Sequence, residues 1–240
     1  MPGAASQPGS SEYETYIHAE WEMFIRDRSR ARISLEATQG VEVKRVLDVG
    51  CGAGQELLPF VAAGSFGVGT DLADDVGRFG RREFAHEGLD ERVAFARSTA
   101  EYLPFRSAAF DVVVSRLALP YAENPAAIAE MARVLRPGGM LLLKIHHAWF
   151  YVDEGWKGLR TGRILSAVHS ARVLASGVVY HVTGRHIRNR LFTHETFQSR
   201  WLLKKELARR GLTVLREMPD SNRLTPSFLV QRRPQEEQKL

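Results

Sequence analysis

Val46 to Gln55 reads VLDVGCGAGQ, an apolar run that ends in an acid and three closely spaced glycines. Val46, Leu47 and Val49 have the composition of a buried strand. Gly50, Gly52 and Gly54 then let the backbone turn sharply and approach a ligand that any side chain would exclude. A helix from Gln55 to Ala63 completes a strand, a tight turn and a helix, the form of a nucleotide-type binding loop.

Spacing decides which ligand suits the loop. A dinucleotide fingerprint places its third glycine three residues after the second. Here Gly54 comes one residue early and Gln55 fills that position. Asp48, two residues before the first glycine, would repel a pyrophosphate but suits a ligand that carries a cationic group. A phosphate loop with a terminal Gly-Lys-Ser/Thr is absent, since no lysine follows.

With these residues the sequence resembles the class I S-adenosylmethionine-dependent methyltransferases, and within them the type 11 group that includes quinone-biosynthesis-like enzymes. The resemblance covers about residues 44–146 and weakens towards 230. It implies S-adenosylmethionine as cofactor, with the product S-adenosylhomocysteine. It also implies that Gly50, Cys51, Gly52, Gly54 and Gln55 wrap the methionine part, while Asp48 supports the ammonium end and the loop.

Further matches follow downstream. Residues 66–70 read as the second strand and end in Asp71, 23 residues after Asp48. A carboxylate there either accepts from two ribose hydroxyls or caps a helix over 74–86. Leu72 beside it offers an apolar face to adenine. Arg92 to Arg97 is the third strand and leads into STAEYLPF (98–105). The resemblance places Thr99, Ala100 and Glu101 along the adenine, with Thr99 standing where an acid is common, so that a weaker, uncharged acceptor faces the exocyclic amine. FDVVVSR (110–116) is a fourth strand whose β-branched run fits burial on both faces. Ser115 and Arg116 fall at its carboxyl end, where open α/β sheets bind ligands. Arg116 either orients an anionic substrate or pairs with a surface carboxylate. Pro120-Tyr121 lacks the leading Asn or Asp and the second proline of nucleic-acid amino methylases, which argues against a nucleobase acceptor.

Asn124 is expected to cap the next helix, with Pro125 at its first position, and Pro137-Gly138-Gly139 to stop it. The strand from Met140 to Ile145 then delivers His146 and His147 to the active edge, as a general base or as lining groups. Adjacent strand residues point to opposite faces, and no cysteine or carboxylate set accompanies them, so no metal site is expected.

The resemblance implies an α/β fold: a Rossmann-like, seven-stranded, mostly parallel sheet with an antiparallel last strand and helices on both faces. Residues 1–11 read as a tail and 12–43 as an N-terminal helical cap, with Arg26, Arg28, Arg30 and Arg32 on its solvent side. Residues 44–147 form the cofactor-binding core. Residues 148–192 read as a helical insertion, one amphipathic helix broken near Gly177, which is either a lid over the acceptor pocket, as the resemblance implies, or a packing or dimer contact. Residues 193–233 complete the core, with Thr193 capping a helix, and 234–240 are a tail. Tyr16 and Trp21 in the first helix, with Arg116 and Tyr121, are the candidate acceptor-site residues; the aromatics serve either to close the pocket or as packing.

The 240 residues suffice for one buried domain and an insertion. No apolar run approaches bilayer length and the first residues lack a signal-peptide pattern, so a soluble, unexported, cytoplasmic protein is expected. Cys51 is the single cysteine, which fits a reducing compartment and reads as packing rather than nucleophile. Net charge is +5, yet residues 157–210 carry twelve Lys or Arg against two acids. Such a basic segment is either a solvated face or a surface for an anionic partner or membrane. The composite expectation is a methyltransferase of a small-molecule O, N or C acceptor, monomeric or homodimeric. A methylase of a lipid-linked or membrane-associated acceptor and a non-catalytic cofactor-binding regulator are the competing readings. Nucleic acid is disfavoured because the basic residues are not interleaved with a recognised binding module.

Overall fold

The protein is described here from a computed structural model, over residues 10–73, 77–186, 195–219 and 222–234. Seven strands form one sheet: β1 (Arg45–Val49), β2 (Phe66–Asp71), β3 (Val93–Arg97), β4 (Phe110–Arg116), β5 (Leu135–Lys144), β6 (Leu212–Glu217) and β7 (Ser227–Arg232). Their order is β3-β2-β1-β4-β5-β7-β6. β1 to β5 pair in parallel, whereas β7 runs antiparallel between β5 and β6, as the sequence predicted.

Period-two alternation divides the strands between two cores. Val46, Val112, Val114 and Leu142 face one side, with Phe24, Leu57, Phe60 and Phe84. Leu47, Val113, Leu141 and Leu143 face the other, with Ile128, Met131 and Leu207. Each buried aliphatic or aromatic side chain contributes roughly 1.5–3 kcal/mol relative to exposure. The first layer holds α1 (Ser10–Arg26), α2 (Ser29–Ala37), α3 (Leu58–Ala62) and α4 (Arg78–His86); the second holds α5 (Asn124–Val134) and α8 (Arg200–Arg209).

Several element boundaries differ from expectation. The N-terminal cap is two helices, broken where the Asp27 carboxylate accepts from Ser29 N at 2.9 Å. The helix after β2 begins at Arg78, and Asp74 lies outside the described residues. Asn124 is the first residue of α5 rather than its cap; its buried amide donates to Thr196 Oγ1. β5 begins already at Leu135, and residues 136–139 form a bulge between the pairs Phe110–Leu135 and Val112–Met140 instead of a helix stop. Thr193 lies outside the described residues, and α8 is capped by Ser199, whose Oγ accepts from Leu202 N.

The insertion is a pair of helices, α6 (Ala148–Arg160) and α7 (Ile164–Thr183), rather than one. The break falls at Gly162, whose φ of +72° is readily adopted only by glycine. Gly155 faces Ser170 and Gly158 faces Ala167, so the two helices run antiparallel at close approach. Gly177, the expected break, is helical and lies under the Phe197 ring, where an added Cβ would come within 2.2 Å. Tyr151, Val173 and Phe197 give the pair a small core of its own.

Candidate functional site

A cavity of about 930 Å³ opens at the carboxyl ends of β1 to β5. Its floor is the glycine loop. Gly50 and Cys51 donate their N–H groups to Thr70 O at 2.8 and 3.0 Å, which pins the turn to the end of β2. Gly50 has φ of +73°, and a Cβ there would lie 2.6 Å from Ala118 Cβ. No other residue fits that approach.

Asp71 secures the loop from the side: Oδ2 accepts from Gly52 N at 2.9 Å, and Oδ1 accepts from Leu72 N and Ala73 N. Asp48 is buried against the loop. Its Oδ2 is sealed from solvent with no partner among the described residues. Burial, then the neighbouring Glu56 and Asp71 carboxylates, raise its pKa well above the ordinary range, against the pull of Arg116 and Arg30. A cationic ligand group at this point would supply the missing counter-charge. Gln55 Oε1 is likewise buried and unpartnered among the described residues.

Glu56 was not singled out from sequence, and it organises the wall. Its carboxylate is buried between Arg30 and Arg116, with Arg116 Nε at 3.0 Å from Oε1. Arg30 therefore points inward from α2, not to solvent, and also approaches Glu20 at 3.7 Å. The carboxylate that Arg116 pairs with is thus the buried Glu56 and not the surface one expected. Leu117, next along the wall, has φ of +61°, a strained value for a branched residue, and its N–H donates to Lys144 O.

Asp48, Gly50, Cys51, Gly52, Gln55, Asp71, Leu72, Thr99, Ala100, Glu101, Arg116, Tyr16, Tyr121 and His146 all line the cavity. Four expected residues do not. Gly54 lies behind the loop against Phe95. Ser115 is fully buried within the sheet. Trp21 packs edge-on against Phe79 and Phe84 in the core, the packing alternative of its two readings. His147 turns away and caps α6, accepting from Trp149 N. Glu101 is partly committed elsewhere, since Oε1 accepts from Glu123 N at 2.7 Å. Cys51 is buried, and burial raises its thiol pKa well above the ordinary value, which suits packing and not nucleophilic attack.

The far wall holds a second group that local sequence did not reveal. His146 stacks on Phe150 with ring centroids 4.0 Å apart, and its Nδ1 lies 3.1 Å from Tyr151 Oη. Tyr151 donates to Glu195 Oε1 at 2.7 Å. Glu195 Oε2 pairs with His169 Nε2 at 3.0 Å, and Tyr121 also hydrogen-bonds this carboxylate. Burial lowers the His146 pKa to about 4, with Lys144 acting in the same direction and Glu195 opposing. The Tyr121 and Tyr151 hydroxyls are both raised, chiefly by burial and then by Glu195. Among the described residues, no group of His, Cys, Asp and Glu is arranged to hold a metal ion, and no helix is long and apolar enough to cross a membrane.

Residues 47–143 match a family model described as a methyltransferase domain. The chain is 37% identical over 105 residues to an uncharacterised methyltransferase, YcgJ, of Bacillus subtilis, covering 43% of this chain and 41% of that protein. It is 33% identical over 131 residues to the ubiquinone/menaquinone biosynthesis C-methyltransferase UbiE of Shewanella pealeana, covering 53% of this chain and 49% of that one. The chain thus spans less than half the length of these curated relatives. Among solved structures, YcgJ of Bacillus subtilis superposes with a TM-score of 0.57 at 18% identity, over 86% of this chain and 99% of that one. At that identity the likeness speaks for the fold alone.

Proposed function

From the match of residues 47–143 to the methyltransferase domain model, we propose that the protein is an S-adenosylmethionine-dependent methyltransferase of a small-molecule acceptor. The observation that carries this reading is the unpartnered Asp48 carboxylate oxygen beside the Gly50-Cys51-Gly52 turn. The residues present fit the cofactor. Asp48 and the glycine turn suit its charged amino-acid end, Asp71 at the tip of β2 suits the ribose, and Leu72 with Thr99 and Ala100 suits the adenine. Bound there, the cofactor supplies a methyl group on a sulfonium. The chain's own part is to hold an acceptor in line behind that carbon and to exclude water, and such positioning supplies much of the acceleration in displacements of this kind. Tyr16, Tyr121, Arg116 and His146 line the remaining space and are the acceptor-side residues of this reading, with α6 and α7 as the lid.

Incubation with methyl-tritiated S-adenosylmethionine and panels of phenols, alcohols, amines and activated methylene compounds tests the proposal. Acceptor-dependent transfer of label is the expected outcome, lowered at least tenfold in Asp48→Asn. Cofactor binding with no transfer to any class would favour the non-catalytic regulator.

A second reading, a membrane-associated acceptor, has one specific observation in its favour. The tip joining α6 and α7 exposes Leu159, Ile164 and Leu165, the last at 86%, beside Arg160 and Arg163, while Lys157 pairs with Asp153 and Glu154. Exposed aliphatics flanked by cations suit an anionic lipid surface.

A further inference from the structure

We propose that Tyr151 and Glu195 hold His146 as a base with its Nε2 lone pair towards the cavity, and that the methyl acceptor is a neutral hydroxyl compound. This rests on the methyltransferase reading and specifies its acceptor.

A carboxylate only accepts hydrogen bonds, so the single proton of Tyr151 Oη is committed to Glu195 at 2.7 Å. Tyr151 Oη can then only accept from its other neighbour, His146 Nδ1 at 3.1 Å. The imidazole proton therefore resides on Nδ1, and Nε2 carries the lone pair. Nε2 has no partner among the described residues, and the ring lines the cavity. Stacking on Phe150 fixes the ring plane, so the lone pair is aimed as well as available.

Glu195 is itself held in place. Tyr121 and His169 also bond its carboxylate, and His169 is 43% exposed, which gives the cluster an edge open to water. Residues 146, 151, 169 and 195 come from the end of β5, from α6, from α7 and from the segment before α8, so the insertion and the core both contribute to the base.

The acceptor class follows from base strength. As the new C–O bond forms and the donor's C–S bond breaks with its electron pair left on sulfur, a hydroxyl proton becomes strongly acidic. It passes to His146 Nε2, giving an imidazolium whose Nδ1–H remains on Tyr151. Even a base weakened by burial accepts such a proton. Methylation of a neutral amine instead gives an ammonium with a pKa near 10, which keeps its proton and needs no base. A carboxylate acceptor has no proton to lose, and it would meet a wall where Glu20, Asp48, Glu56, Asp71 and Glu101 outnumber Arg30, Arg116 and Lys144.

Nitrogen NMR of the full chain labelled with 15N-histidine reads the arrangement without any acceptor. At pH 7 the resonances that disappear in His146→Gln should be those of a neutral ring protonated on Nδ1. Tyr151→Phe, which removes the acceptor while keeping the ring, should shift that ring to the Nε2–H or a mixed form, and Glu195→Gln should do so in part. A wild-type His146 protonated on Nε2, or unaffected by both substitutions, would overturn the proposal. Once a hydroxyl acceptor is in hand, Tyr151→Phe should lower kcat about tenfold to a hundredfold with KM within a factor of about three, and displace the acid limb of the rate profile. Turnover with amines only would likewise overturn it. Calorimetry of the wild type with S-adenosylmethionine separates the two failures: no binding sinks the methyltransferase reading, whereas binding with the wrong His146 tautomer sinks only the base.

Discussion

At the residue scale, two buried titratable groups carry the argument, and both depart from their ordinary pKa mainly through burial. Asp48 is raised and His146 is lowered to about 4. For His146 the sign is definite. An unfolded histidine takes up its proton near pH 6.5, while the folded one resists until about 4. Its contribution to stability is therefore complete above about pH 6.5 and is lost as pH falls towards 4. The groups that face it are Glu195, Lys144, Tyr121, Tyr151 and, through Glu195, His169, whose own pKa is raised by that carboxylate and which works in the opposite direction. Urea unfolding at pH 7.5 and pH 4.5 should show wild type losing on the order of 1–3 kcal/mol more than His146→Gln. Equal losses would mean that His146 is not desolvated. Asp48, Asp71 and the glycines were legible because each sits at a fixed offset along one stretch of chain. Glu56, Tyr151 and Glu195 were not: the last two meet across 44 residues, and nothing local marks either as a partner of His146.

At the element scale, β4 was read to its exact ends because a β-branched run bounded by Phe110 and Arg116 has few alternatives. The insertion was harder. Its apolar residues keep helical spacing, so the turn at residues 161–163 left little trace in the pattern, and Gly177 looked like the break although it is small to admit Phe197. What the hairpin exposes now gives the membrane reading a direct test. Sedimentation with vesicles containing phosphatidylglycerol should carry the protein down at low salt, and neutral phosphatidylcholine vesicles should not. Replacing Arg160 and Arg163 together by alanine should remove roughly 2 kcal/mol, about thirtyfold in partition. No sedimentation with the anionic vesicles would leave Leu159, Ile164 and Leu165 without a lipid role.

At the scale of the whole molecule, the order β3-β2-β1-β4-β5-β7-β6 puts the carboxyl ends of the five parallel strands β1 to β5 at one edge, and the cavity lies there. Alternating strands and helices made that architecture legible, because parallel neighbours require crossovers and crossovers place helices on both faces. The acceptor side was less so, since it is assembled from α1, the end of β4 with residues 117–122, the end of β5 and the start of α6, parts of the chain that share no pattern. On the proposed reading this edge binds S-adenosylmethionine through Asp48, the glycine turn and Asp71. Calorimetric titration of the wild type with S-adenosylmethionine and S-adenosylhomocysteine, alongside Asp71→Asn, is the decisive experiment. One site per chain is expected for both ligands, weakened roughly tenfold or more by loss of the charged hydrogen-bond acceptor. A folded wild type that binds neither ligand would contradict that reading.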